Sequence, residues 1–280
     1  MNNLVKVGFL LIIVLLVIGI LVSFLNNTTG STLIGAQVSG NVYEQLVSLS
    51  DQGYNVTAQS NLNTLQYNFS SVNGKPAVIY VGAEWCPFCG AERWALILAL
   101  LRFGNFTNLE YMLSSSSDEY PNTPTFTFVN STYTSKYVTF YPIEYQNRQH
   151  QQLESVPSAV YQMWKTYANF NIPFVIIGYY YQVGTPINPG LLSGRNWSYV
   201  ILQLHDPNSP IYKEVYAQAN LITMYICKVD GNNPASVCDH FDPNTTMDPM
   251  VYGVQVSQKG WGNSSDLLFP PLVVLEWRKR

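Results

Sequence analysis

The chain has 280 residues and a formal net charge of −3, which is enough chain for one large domain or two small ones. Lys, Arg, Asp and Glu make up 11% of the residues, whereas soluble domains usually carry about 25%. A strongly basic surface for nucleic acid is therefore excluded. Uncharged polar residues, including 20 Tyr, take the place of the missing charges. We expect such a surface on an exported protein rather than on a cytosolic one.

The N-terminus contains an apolar run without a charge, residues 7–24, with the sequence VGFLLIIVLLVIGILVSF. At about 1.5 Å per residue, a helix of this length just spans a hydrocarbon core of about 30 Å. We predict a transmembrane anchor over residues 1–25, followed by a stalk and N-terminal extension over residues 26–75. A cleaved signal peptide, whose apolar stretch is usually shorter, and a buried core helix are the alternatives.

Two patterns indicate that the remainder of the chain lies outside the cell. Lys6 precedes the apolar run and no charged residue follows it until Glu44, which is a weak positive-inside signal. Nine Asn-x-Ser/Thr acceptor sites are present, although a chain rich in Asn, Ser and Thr also collects such sites without using them. The sequence therefore predicts a glycosylated, single-pass protein of the cell membrane with an extracytoplasmic domain. The acceptor sites are Asn26, Asn27, Asn55, Asn68, Asn105, Asn130, Asn196, Asn244 and Asn263.

Apolar periodicity and turn residues predict alternating helices and strands after the stalk. The continuous apolar run at 76–82 is typical of a strand buried on both faces. From residue 230 on, Asn, Asp, Pro and Gly predict a loop-rich C-terminal extension over 230–280. Helices are predicted over 41–52, 89–103, 151–170, 198–204 and 211–226, and strands over 76–82, 109–113, 126–129, 137–141, 174–177 and 179–183.

The chemistry-bearing motif is Cys86-Pro87-Phe88-Cys89, at the point where the apolar strand gives way to a helix. A thiol at a helix N-terminus meets unpaired backbone N–H groups and the positive end of the helix dipole, which stabilise the thiolate. Pro87 has a backbone angle suited to the first helical turn. We therefore expect Cys86 to be the exposed nucleophile and Cys89, one turn later, to be the resolving thiol.

The segment Ala83–Cys89, AEWCPFC, resembles the active-site segment of the thioredoxin superfamily, whose members often carry A-x-W-C-x-x-C. Ile172-Pro173, just before the predicted hairpin, resembles that family's cis-proline loop, which lies beside the reactive cysteines. The resemblance covers residues 76–184 and a later helix, about half of the chain. The whole chain also resembles an uncharacterised family of archaeal membrane-anchored proteins.

The resemblance implies an α/β fold, an elaborated thioredoxin-like domain over 76–229 with a mixed sheet flanked by helices, preceded by one N-terminal transmembrane helix. It implies a protein thiol–disulfide oxidoreductase with Cys86 and Cys89 as catalytic residues and with neither an organic cofactor nor a metal. Its partners are protein substrates with cysteines or disulfides and an unknown electron-transfer partner. Tyr80 stands where thioredoxins place a buried acid, six residues before the first cysteine. The implied substrate-binding residues are Trp85, Pro87, Phe88, Ile172 and Pro173.

Other readings of the cysteines remain open at this point. The CxxC motif is half of a zinc site if Cys227, Cys238 and His240 supply further ligands, or it is an inert structural disulfide. Cys227 and Cys238 are predicted to form a bond that staples a helix to the following polar loop, with a second redox pair as the alternative. A non-enzymatic, glycosylated cell-surface interaction protein with two structural disulfides is the alternative function. His150 and His205 are expected to be surface residues.

Overall fold

The computed structural model describes residues 32–241, except 59, 67 and 72, together with residues 272–275. Its architecture is mixed α/β, with a mixed sheet flanked by helices. The predicted anchor over residues 1–25 lies outside the described residues. Among the residues that are described, no helix is both long enough and apolar enough to cross a membrane.

Helices and strands alternate along the chain, with more strands than the sequence predicts. The described helices are α1 Gly40–Ser50, α2 Pro87–Leu101, α3 Ser158–Ala168, α4 Trp197–Gln203, α5 Pro210–Val229 and α6 Ala235–Cys238, with a 3-10 turn at Pro189–Leu191. The strands are β1 Asn63–Thr64, β2 Asn68–Ser71, β3 Ala77–Ala83, β4 Gly104–Thr107, β5 Glu110–Leu113, β6 Pro124–Thr127, β7 Thr132–Ser135, β8 Thr139–Gln146, β9 Phe174–Ile177, β10 Tyr180–Val183 and β11 Leu272–Leu275.

The main sheet has the strand order β1-β10-β9-β3-β8, so that β3 lies between two long partners. It pairs in parallel with β8 and antiparallel with β9. All seven residues of β3 are buried, because helices cover both faces of the sheet. Val78 and Tyr80 belong to the cluster that contains α2 and α5, whereas Ile79 and Val81 belong to the cluster that contains α3. The continuous apolar run is thus explained by burial on two sides.

Helix α2 is the centre of the larger core. It packs against α5, α1 and β6, and every one of its residues except Phe88 is buried. When a helix is buried on all sides, neighbouring elements must supply hydrogen-bond partners for each of its charged side chains. Arg102, the C-cap residue, does so by donating to the Ser50 carbonyl at 2.8 Å and to the side chains of Asn220 at 2.9 Å and Thr223 at 2.8 Å. One guanidinium therefore joins α1, α2 and α5.

The predicted start of the helix over 151–170 is wrong, because residues 151–157 are not helical and α3 begins only at Ser158. The chain first turns back after β8, and Gln152 forms an isolated β-bridge with Gln146. Pro157 is the N-cap residue, and a proline lacks the N–H that an earlier helical turn would need. The predicted strand over 137–141 is longer than expected, since β8 continues to Gln146. The paired strands β4 and β7 were not predicted, because GNFT and TYTS lack a strong apolar pattern.

The N-terminal extension is part of the folded unit from residue 33 on, although the sequence predicted a stalk there. The backbone N–H of Gly35 donates to Tyr111 and that of Val38 donates to Leu109, each at 2.8 Å. Leu46 and Leu49 of α1 are fully buried in the main core. At the other end of the chain, β11 pairs in parallel with β2, so the C-terminal extension contacts the end of the N-terminal extension.

Cys227 and Cys238 form a disulfide that joins the end of α5 to α6, as predicted. The bond lies at the end of the sheet remote from the CxxC motif. Tyr225, two residues before Cys227, contacts Tyr180 with a ring separation of 4.6 Å. Tyr180 begins β10, beside the end of β9 that pairs with Val78 at the start of β3, whereas the motif follows the other end of β3.

Replacing both Cys227 and Cys238 with alanine is expected to lower stability without altering the CxxC chemistry. A bridge between cysteines 11 residues apart removes about 3 kcal/mol of denatured-chain entropy, which corresponds to about 6–12 °C in melting temperature for a domain of this size. Thermal unfolding and a disulfide-exchange assay measure the two effects. A variant with normal stability that fails to be re-oxidised would instead make this pair a second redox station.

A second buried polar group on α2 is Glu92, which is fully buried and faces α5. Its Oε1 accepts a hydrogen bond of 2.8 Å from Gln218 Nε2, and Gln218 Nε2 also contacts Gln182 at 3.0 Å. Among the described residues, both Glu92 Oε2 and Gln218 Oε1 lack a partner. A protonated carboxyl would carry a hydroxyl donor, the kind of group that an unpaired amide oxygen requires. Burial accordingly raises the pKa of Glu92 to about 7, against the opposing hydrogen bonds of Thr185 and Gln218.

Because the pKa of Glu92 is raised on folding, we expect this carboxyl to make the free energy of unfolding larger in acid than at neutral pH. Below about pH 4.5 the carboxyl is neutral in both the folded and the unfolded chain, so burying it carries no ionisation penalty. Between about 4.5 and 7 only the unfolded chain ionises, so stability falls by up to about 3 kcal/mol as the pH rises. Glu92→Gln should flatten this slope and raise stability at pH 8, as measured by chemical denaturation across the pH range.

The slope should be reduced rather than abolished, because burial also raises the pKa of Glu84, and it raises that of Asp230 to about 6. Both act with the same sign as Glu92. Parallel loss of stability in wild type and Glu92→Gln between pH 5 and pH 8 would show that Glu92 does not cause the pH dependence.

Candidate active site

The site is built where β3 ends and α2 begins. Cys86 is the N-cap residue of α2, and its sulfur accepts the backbone N–H of Cys89 at 3.2 Å. Pro87 follows at the first helical position, as its fixed backbone angle favours. The expectation of an exposed nucleophile is wrong for this conformation, since only 3% of Cys86 is exposed. The capping geometry is the reason, because it turns the sulfur back toward the helix rather than outward.

The two cysteines are free thiols with opposite tendencies to ionise. Burial raises the pKa of Cys86, but hydrogen bonds from the thiol and backbone of Cys89 and the charge of Arg93 outweigh it, so the pKa lies below its ordinary value. Burial, together with the hydrogen bond to Cys86, raises the pKa of Cys89 well above its ordinary value. Cys86 is therefore the thiol that ionises more readily, and Cys89 is the one that holds its proton more tightly.

The residues before Cys86 are held by β8 and by the segment after β5. The backbone of Glu84 and the indole Nε1 of Trp85 both donate to Gln146, each at 2.9 Å. The Trp85 carbonyl accepts the backbone N–H of Ser115 at 2.8 Å. The indole also stacks on His150, with ring centres 4.5 Å apart. His150 was expected to be an ordinary surface residue, and only the turn after β8 brings it to the site.

An aromatic rim borders the other side of the motif. Phe88 is 38% exposed although it belongs to a helix that is otherwise buried. Its ring and that of Tyr120 pack edge to face, with ring centres 5.7 Å apart. Phe88 and Trp85, which were predicted to bind substrate, therefore lie on either side of Cys86 in the chain with part of their aromatic surface accessible.

The Ile172–Pro173 peptide bond is cis, as predicted. The pairing of β3 with β9 ends at Val81–Phe174, one residue after Pro173 and five residues before Cys86. Neighbouring strands are about 4.8 Å apart, so the loop reaches the end of β3 from which the CxxC motif departs. Within the described part of the chain, the backbone N–H and C=O of Ile172 make no backbone hydrogen bond. The contact of this loop with the Cys86 sulfur stays a prediction.

Beneath the thiols lies a buried ion pair between Arg93 and Glu144, both completely inaccessible to solvent. Arg93 Nε and Nη2 donate to the two carboxylate oxygens at 2.8 and 2.6 Å, and Nη2 also donates to the Ala83 carbonyl at 2.8 Å. Arg93 follows Cys89 by four residues and so shares its face of the helix. The guanidinium carbon lies 5.7 Å from the ring centre of Tyr80, which is also fully buried.

A second carboxyl lies close to the thiols. Glu84 is 7% exposed, and its Oε1 accepts a hydrogen bond of 2.7 Å from the Thr127 hydroxyl. Burial raises the pKa of Glu84, and the nearby charge of Glu144 acts in the same direction. Sequence analysis had not assigned a role to Glu84, Arg93 or Glu144. The partner Glu144 is 51 residues from Arg93, and only the parallel pairing of β8 with β3 brings them together.

The zinc alternative lacks the ligands that it requires. Cys227 and Cys238 are bonded to each other, and the ring of His240 stacks on Tyr54 with centres 4.1 Å apart. In the residues that the structure describes, no group of three or more His, Cys, Asp or Glu side chains is arranged to hold a metal ion. The chemistry that the site offers is that of its two thiols.

Comparison with known proteins identifies the family to which the chain belongs. Residues 61–228 match the family model described as a domain of unknown function, DUF929. No curated protein and no solved structure matches the chain. The matched segment contains β3, α2, the Ile172–Pro173 loop and Cys227. Because it spans more than half of the 280 residues, the chain belongs to the DUF929 family.

Proposed function

We propose that this protein is a thiol–disulfide oxidoreductase that acts on protein disulfides through Cys86 and Cys89. The observation that carries the proposal is the pair of thiols at the start of a buried helix, with the pKa of Cys86 lowered and that of Cys89 raised. A nucleophile needs the thiolate form, and the resolving thiol must stay protonated until it is used. This division of roles is what a two-step exchange requires.

In the reducing direction, the Cys86 thiolate attacks one sulfur of a substrate disulfide. A bond forms between Cys86 and that sulfur, the substrate S–S bond breaks, and the second substrate sulfur leaves as a thiolate that takes up a proton. Cys89 then loses its proton and attacks the Cys86 sulfur, which forms the Cys86–Cys89 disulfide and releases the first substrate thiol. Two electrons pass from the enzyme to the substrate, and the reverse sequence oxidises a substrate dithiol.

The fold supports a thioredoxin-like assignment at the positions that carry the chemistry. A buried strand leads directly into WCPFC, the first cysteine caps the following helix, and an Ile-Pro loop enters the antiparallel neighbour of that strand. Tyr80 is the departure from the superfamily pattern, because a hydroxyl stands where an acid is usual. The 83 residues between Cys89 and Pro173 hold the rest of α2, β4 to β8 and α3.

A substrate would bind as an extended segment across the site. Ile172 offers a backbone donor and acceptor with which a passing strand can pair, and Pro173 fixes the loop that presents them. Trp85 and Phe88 provide the neighbouring apolar surface, of which Phe88 is the most exposed part. Pro87, also predicted to bind substrate, is buried and does not contribute to this surface. Such a site selects unfolded or flexible chains, because a folded domain rarely offers a free strand next to its disulfide.

We further propose that the domain lies on the extracytoplasmic side of the cell membrane, anchored by residues 1–25. Three acceptor sites, Asn55, Asn105 and Asn130, are exposed and thus accessible to a glycosylation machinery. The Cys227–Cys238 disulfide is of the kind that persists in oxidising compartments. An electron-transfer partner in or near the membrane would return Cys86 and Cys89 to their starting state.

Replacing Cys89 with serine should trap the reaction halfway. Cys86 still attacks a disulfide-bonded substrate protein, but no thiol remains to release it, so mixed disulfides accumulate and are detected on non-reducing gels. The additional change Cys86→Ser should abolish them. Repeating the trap with Cys227 and Cys238 replaced by alanine excludes a contribution from the second pair. If Cys86→Ser alone traps substrate as well as Cys89→Ser does, the assigned roles of the two cysteines are wrong. If neither single variant traps substrate, the exchange reaction is absent and the cysteines are structural.

The pH dependence of alkylation tests why Cys86 ionises. In wild type, the rate of Cys86 modification by iodoacetamide should rise with a midpoint below the ordinary thiol pKa, because the Cys89 thiol donates to the sulfur. In Cys89→Ala the backbone N–H donor remains but the thiol donor is lost, so the midpoint should move to higher pH. Site-resolved mass spectrometry gives the rates. An unchanged midpoint would mean that the helix terminus alone lowers the pKa.

A further inference from the structure

Two buried hydrogen-bond donors behind the thiols have no partner within the part of the chain that the structure describes. The Tyr80 hydroxyl and Arg93 Nη1 are both shielded from solvent, and neither makes a hydrogen bond to a described residue. Buried polar groups in folded proteins are nearly always paired, and leaving one unpaired costs stability. A pair of such donors at one site therefore indicates a partner that forms only in another state of the protein.

The backbone directs both donors to the end of β3, below α2. Tyr80 and Gly82 share a face of the strand, and a Cβ atom at Gly82 would overlap the Tyr80 hydroxyl, so the glycine leaves room for it. Arg93 Nη2 donates to the Ala83 carbonyl, and the Cys89 sulfur meets the backbone of the same residue. The hydroxyl, the guanidinium and the resolving sulfur thus converge on Gly82 and Ala83.

Among the groups that face this point, the sulfur of Cys89 is the one that gains a negative charge during exchange. Both carboxylate oxygens of Glu144 are already held by Arg93, and Glu84 is bound to Thr127. The Cys86 sulfur already accepts a hydrogen bond from the Cys89 N–H. The remaining titratable neighbour, Tyr145, is a phenol whose pKa is raised by burial, so it does not supply a negative charge. A thiolate at Cys89 would supply the acceptor that both free donors lack.

We propose that Tyr80, backed by the charge of Arg93, is the positioning residue that stabilises the Cys89 thiolate when the mixed disulfide is resolved. In that step Cys89–SH loses its proton, its sulfur bonds to Cys86, the bond from Cys86 to the substrate sulfur breaks, and the departing thiolate takes up a proton. The substrate disulfide is the oxidant, so no other redox partner is needed. The hydroxyl donates a hydrogen bond and stays protonated, because burial raises the pKa of Tyr80 well above its ordinary value.

This inference rests on the proposed function, and a two-phase reaction separates the two. The full-length protein is reduced at its two free cysteines and mixed with the aromatic disulfide DTNB. The first coloured thiolate reports attack by Cys86, and the second reports attack by Cys89 on the resulting mixed disulfide. The rate of each phase is followed as a function of pH, in parallel with reduction of a disulfide-bonded protein.

Tyr80→Phe removes the hydroxyl and keeps the ring. The second phase should slow by about tenfold near neutral pH and its pH midpoint should rise, because the thiolate loses a donor, while the first phase is unchanged. The melting temperature should be equal to or above that of wild type, since the lost hydroxyl had no hydrogen bond. Tyr216→Phe is the matched control: its fully buried hydroxyl donates to Leu49, so this change should lower stability and leave both phases intact.

The double variant Arg93→Met, Glu144→Leu removes both buried charges together, which avoids leaving one of them unpaired. It should also slow the second phase and raise its pH midpoint. The inference is overturned if the second phase in Tyr80→Phe keeps the wild-type rate and midpoint. If wild type shows both phases but does not reduce the protein disulfide, the proposed function fails and the assignment of Tyr80 is still decided by the second phase.

Discussion

The buried ion pair between Arg93 and Glu144 holds together the three elements that make the site. Arg93 belongs to α2, Glu144 to β8, and the Ala83 carbonyl that Arg93 also contacts ends β3. Removing one partner of such a pair leaves a buried charge and typically costs about 3–5 kcal/mol, a large part of the stability of a domain. The pair therefore couples the position of Cys89, on the same helical face as Arg93, to the register of the sheet.

The remaining charges of α2 follow the same rule of burial with compensation. Arg102 is satisfied by carbonyls and side chains from α1 and α5, and Glu92 by an amide of α5 together with its own proton. Of the hydrogen-bond donors on the two arginines, Arg93 Nη1 beside the thiols is left without a partner among the described residues. The helix is thus fixed along its length by polar contacts that are complete, except at the end where sulfur chemistry requires a change of charge. Unpaired polar groups of this kind are expected where buried residues take part in a reaction as well as in packing.

Sequence reasoning reached the elements whose signals are local. The apolar run of β3, the Pro87 start of α2 and the hairpin around Gly178 each follow from neighbouring residues, and so did the two cysteines of the motif. The residues that complete the site are different. Glu144 and His150 come from the strand and turn on the far side of β3, and no periodicity links them to Cys86. Pairing between distant segments decides such contacts.

The position at which the N-terminal segment joins the fold limits the distance between the site and the proposed membrane anchor. Residue 37 bridges to Glu110 at the start of β5, and five residues further along the chain Ser115 touches Trp85. Only 12 residues separate residue 37 from the end of the proposed anchor at residue 25, a tether no longer than about 40 Å when fully extended. If the proposed anchor holds the domain that close to a bilayer, the site would meet chains as they emerge from the membrane, before they have folded. The supply of substrate would then follow the rate of export rather than diffusion in the surrounding medium.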